Sequence, residues 1–130
     1  MLNAETKKEL LTIIDEIAGL EKRRNEIRRQ EFDLRDRIST IRAKNLVDIA
    51  VVKDNKEKPI YPNEQVREAA LVVALDKDSE FKTLRDKLRT LENTLQDISI
   101  EHIRLSNRKA LLMFEAGLVS PSSSSEIAIE

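Results

Sequence analysis

Residues 10–41 read LLTIIDEIAGLEKRRNEIRRQEFDLRDRISTI. With Leu10 at heptad position a, Leu10, Ile13, Ile17, Leu20, Ile27, Leu34, Ile38 and Ile41 all fall on a or d. Apolar residues at alternating steps of three and four make one stripe along a helix, the seam of a coiled coil. Arg24, Glu31 and Asn45 also occupy a. Polar residues there weaken a seam but can fix its register and partner number. The spacing predicts a helix over about residues 4–52, with Asn3 as N-cap and Gly19 off the seam.

Working outward, KDNKEKPIYPNEQ at 53–65 breaks the period. Asp54-Asn55 favours a turn, and Pro59 and Pro62 cannot sit inside a regular helix. An apex loop over 53–63 follows, with Asn63 as N-cap of a short helix over about 64–76. That helix is too short to stand alone. It is expected to pack on the end of the first, with Tyr61 on a small core of Leu46, Ile49, Val66 and Ala70. Asp78 then caps a helix over about 79–117. Its seam is Phe81, Leu84, Leu88, Leu91, Leu95, Ile98, Leu105 and Leu112, with His102 and Lys109 as polar members at a. Gly117 suits a helix C-cap. The Ser run after Pro121 reads as a flexible tail over 119–130.

Two helices with one stripe each should pair, and the connection is long enough to reverse direction. The expected fold is all-α: a long antiparallel coiled-coil helical hairpin over 1–118 with a short helix at its apex. One register sets Phe81 against Ile41, Leu88 against Leu34, Leu95 against Ile27, Leu105 against Ile17 and Leu112 against Leu10. Leu11, Ile14, Ile100, Ile103, Leu111 and Phe114 lie off these seams. A two-helix hairpin cannot bury two stripes per helix. Self-association into a helical bundle, first of all a twofold dimer, would cover them. The alternative is that Ile127 and Ile129 of the tail fold back over the patch.

Composition narrows the function. Aromatics are 3% of the chain and Trp is absent, which argues against base-stacking platforms for single strands. The net charge of −1 gives no global field for nucleic acid or lipid. The lack of Cys removes thiolate chemistry, and one His cannot complete the usual zinc sets. Two glycines cannot build a phosphate-binding loop. His102 reads as a packed or rim histidine with no partner at triad spacing. We expect no enzyme, no cofactor and no metal site. No segment reaches the ~18 apolar residues of a membrane span, and the N-terminus resembles no targeting signal. Both point to a cytoplasmic protein.

The remaining charged feature is EKRRNEIRRQEFDLRDRISTIRAK, residues 21–44, with nine basic residues against five acidic ones. Lys22, Arg23, Arg28, Arg29, Arg35 and Arg37 could contact a nucleic-acid backbone or an acidic partner. The plainer reading pairs the arginines with Glu92, Asp97 and Glu101 of the last helix and with acids one turn away.

Within residues 58–112 four features follow in order: the turn Tyr61-Pro62-Asn63-Glu64, the Ala-rich start Arg67-Glu68-Ala69-Ala70, the acidic turn from Asp78 to Phe81, and the heptad helix from Leu84. In this order they resemble small helical-hairpin proteins of phages and mobile elements. The pattern's late aromatic is replaced here by His102 to Leu105. The resemblance implies a setting beside DNA-recombination functions and no catalytic residue. The function expected is a non-enzymatic coiled-coil interaction or assembly protein with a protein partner. An accessory nucleic-acid binder using the Arg-rich face is the alternative, and a small inhibitor of a host protein the third.

Overall fold

The computed structural model describes residues 3–118. The chain is all-helical there, with α1 Ala4–Val51, α2 Glu64–Lys77 and α3 Ser79–Glu115 and no strand among the described residues. The tail over 119–130, with Ile127 and Ile129, lies outside them.

Local chemistry sets the helix ends. The side-chain oxygens of Asn3, Asn63 and Asp78 accept the backbone N–H groups of Thr6, Val66 and Phe81 at 2.7, 2.9 and 2.9 Å. Each bond satisfies one donor that a first helical turn leaves without a partner. Asp78 serves two helices, because its own N–H also donates to the Leu75 carbonyl and closes α2. α3 ends in a Schellman turn. Gly117 adopts φ 75°, its N–H donates to the Phe114 carbonyl, and the Leu118 N–H donates to that of Met113.

The described residues form two compact units, one of residues 3–28 together with 93–118, the other of residues 29–92. In the first unit, Leu10, Ile13, Leu105 and Leu112 form a buried cluster joined by Ile17, Leu20 and Met113. Glu9 pairs with Arg108 at 2.9 Å and Glu21 meets His102 at 3.3 Å. The order of these contacts makes the two helical segments antiparallel. Leu10, Ile17, Leu105 and Leu112 thus belong to one cluster.

In the second unit the core is Ile49, Leu71 and Leu75, with Ile41, Leu46, Tyr61, Ala70, Ala74 and Phe81 packed on it. Leu71 is completely buried. Tyr61, Leu46, Ile49 and Ala70 pack together as expected, but Val66 does not join them and is 38% exposed. It precedes Leu71 by five residues, which turns it about 140° away from the face that α2 buries. The loop before α2 closes on itself. The Asp54 N–H donates to the Lys58 carbonyl at 2.8 Å, and the Glu57 N–H to the Asp54 carbonyl at 3.0 Å. One Asp54 carboxylate oxygen accepts from the Lys56 and Lys58 N–H groups. Glu57 sits at φ 60°, a left-handed position where glycine is usual.

Candidate functional site

The first unit carries the six predicted self-association residues. Leu11, Ile14, Ile100, Ile103, Leu111 and Phe114 are each between 42% and 61% exposed. Helical geometry explains why. Ile100, Ile103, Leu111 and Phe114 fall about 120–180° around α3 from the buried Leu105. Leu11 and Ile14 sit one residue after the buried Leu10 and Ile13, about 100° round α1. The seam therefore points into the pair while the second stripe faces out.

The predicted basic residues divide between the units, Lys22, Arg23 and Arg28 in the first and Arg29, Arg35 and Arg37 in the second. All six are exposed. Arg35 donates to Glu92 at 2.8 Å and lies 3.5 Å from Glu31 one turn away. Arg37 lies 3.6 Å from Glu80, and Arg42 donates to Glu68 at 3.1 Å. The expected pairing with Glu92 is thus made. The pairings with Asp97 and Glu101 are absent among the described residues. Arg23 shares a shallow groove with both acids, but the Glu101 carboxylate is held by Arg104, whose Nε donates to it at 3.0 Å. This bond lowers the Glu101 pKa and raises that of Arg104. Among the described residues, Lys22, Arg23, Arg28 and Arg29 have no bonded acid.

Two further features escaped the sequence. His102 has neighbours after all: Nε2 lies 3.3 Å from Glu21 Oε1 and Nδ1 lies 3.4 Å from Ser106 Oγ. A carboxylate only accepts, so a hydrogen bond to Glu21 is donated by Nε2. The chain separation of 81 residues between Glu21 and His102 hid this set. Serine, histidine and carboxylate in a row suggest nucleophile chemistry, but Ser106 is only 9% exposed. It lies mid-helix, where neighbouring backbone N–H groups are committed to helical bonds and cannot stabilise an oxyanion. The second feature is α2, which is apolar on two sides. Leu71 and Leu75 are buried, while Val66, Val72 and Val73 are exposed.

A groove of about 650 Å³ opens in the second unit, with Leu34 and Leu91 in its lining and Asp33, Arg37, Asp86 and Lys87 around them. Charges of both signs ring it. No cluster of described residues could hold a metal ion. No helix among the described residues is long and apolar enough to cross a membrane. No family model matches the chain, and neither curated proteins nor solved structures offer a match.

Proposed function

We propose that the chain is a non-enzymatic interaction and assembly protein. In this reading it is an antiparallel coiled-coil hairpin with a short helix at its turn, and it associates with a second copy into a helical bundle. The observation that carries this is the outward stripe of the first unit. Six large apolar side chains stay more than two-fifths exposed, and patches of that kind mark association surfaces. Light scattering across concentration tests it. The chain should show a dimer mass that Ile103→Glu with Leu111→Glu reduces to a monomer of unchanged helicity. A wild-type chain that stays monomeric at every concentration overturns the reading.

A second reading rests on Lys22, Arg23, Arg28 and Arg29, which no described acid neutralises. These four cations suit a nucleic-acid backbone. Labelled duplex DNA should then bind at low salt, weaken steeply as salt rises, and be lost when Arg23, Arg28 and Arg29 are replaced by Glu. Absence of binding at low salt eliminates it.

A further inference from the structure

The stripe on α3 has an internal symmetry. Its members are Ile100, Ile103, Leu111 and Phe114, with Asn107 at the centre of the same face. The steps between them are three, four, four and three, a spacing that reads the same in both directions. A plain heptad would instead continue to residue 110, but Ala110 is buried, and Leu111 takes the outward place.

We infer that α3 pairs with α3 of a second copy, antiparallel, on a twofold axis through Asn107. This rests on the assembly reading above and specifies its contact. In a twofold contact, residue i meets j and j meets i. The spacing then sets Ile100 against the partner's Phe114 and Ile103 against the partner's Leu111, each made twice, with no apolar member left over. A second copy of this chain supplies the same spacing in reverse.

Two observations support that occupant. Asn107 is exposed, and its amide carries both donors and an acceptor, so two copies on the axis satisfy each other. A single polar residue within an apolar seam is also a known device for fixing register and orientation. The cations beside the stripe are already neutralised within the chain, Arg104 by Glu101 and Arg108 by Glu9. They therefore do not oppose the approach of a like helix.

The absence of native cysteine makes the test direct. Under mild oxidation Asn107→Cys alone should form a disulfide-linked dimer, because only a residue on the axis meets itself. Ile100→Cys alone and Phe114→Cys alone should not cross-link, whereas a mixture of the two should. Asn107→Asp places two like charges on the axis and should weaken the dimer roughly tenfold or more. Self-cross-linking by Ile100→Cys as efficient as by Asn107→Cys means a parallel contact and overturns the inference. A wild-type dimer by light scattering with neither the Asn107→Cys nor the mixed cross-link overturns it too, while leaving the assembly reading intact. A wild-type monomer removes both.

Discussion

The two units solve one problem differently. Each contains antiparallel stretches of α1 and α3, and a pair of helices offers little interior. In the second unit a third element closes the core. α2 lays Leu71 and Leu75 against Ile49, and Leu71 loses all contact with solvent. Ion pairs from α1 to α2 and α3 (Arg42–Glu68, Arg35–Glu92 and Arg37–Glu80) line the outside. The first unit has no third helix among its described residues. Its cluster of Leu10, Ile13, Leu105 and Leu112 is buried between two segments, and its second stripe stays in water. Among the described residues, the chain completes one unit with its own short helix and keeps an exposed apolar stripe on the other. Exposed valines on the second unit do not undo the contrast. Val47 and Val51 belong to α1, Val72 and Val73 to α2, so they make no single seam.

The largest effect should come from attacking the completed core. Leu71→Ala removes a side chain with no exposure and should cost about 2–5 kcal/mol, read from urea unfolding. Leu111→Ala, on the outward stripe, should leave the stability of the dissociated chain nearly unchanged and act on association instead. Equal losses of monomer stability from the two would erase the distinction between the units.

Next in size is a defect within the first unit. Arg24 occupies seam position a, and its Nε is buried without a hydrogen-bond partner. A buried polar group without a partner costs about 1–3 kcal/mol. Arg24→Leu should recover part of that, raising the unfolding midpoint while loosening the register that a polar seam residue enforces. A lower midpoint for Arg24→Leu would show that the guanidinium stabilises the seam instead.

Two substitutions of about 1 kcal/mol probe opposite backbone compromises. Gly19 lies in the interior of α1, and a Cβ there would meet nothing within 4 Å. Gly19→Ala should stabilise the first unit by ~1 kcal/mol through helix propensity. Glu57 holds a left-handed conformation in the loop of the second unit. Glu57→Gly relieves a strain of ~1 kcal/mol, partly offset by the freedom glycine adds to the unfolded chain. Both gains are readable as shifts in thermal midpoint, and a loss from Gly19→Ala would mean that something needs the space that the absent Cβ leaves.

That last pair also shows where the sequence was legible. Caps at Asn3, Asn63 and Asp78 and the glycine turn at Gly117 are decided within a few residues, so the local signal sufficed. The seam was equally plain, because burial at Leu10, Ile13, Leu105 and Leu112 follows from period alone. The offset stripe was visible for the same reason. Glu57 was not, since its left-handed turn lacks the glycine that would announce it. Glu21 and Ser106 beside His102 depend on how two distant stretches align. Val66 was misplaced in the core because a helix apolar on two sides does not declare which side is buried. The charged face misled in part as well. Arg104, one turn from Glu101, holds the carboxylate that the sequence assigned to an arginine of α1.

The smallest predicted effect concerns that contact. The hydrogen bond from Arg104 keeps the Glu101 carboxyl below the ordinary carboxylate range. A folded-state pKa that is depressed stabilises the fold at pH above the unfolded value. The contribution fades as pH falls through the folded value and is gone once the carboxyl is protonated. Arg104→Ala should therefore be slightly less stable than the parent at neutral pH and equal to it in acid. Both groups are exposed to solvent, so the neutral-pH difference should also shrink with added salt. Thermal midpoints of the two proteins at neutral and acid pH, with and without salt, check this. A difference that survives acid would mean that Arg104 acts by packing rather than by charge. The ion pairs between elements of the second unit, Arg42–Glu68 among them, give the matching comparison. Their acids are exposed too, so salt should weaken them in parallel, and a salt-resistant pair there would place the stiffer surface on the unit that α2 completes.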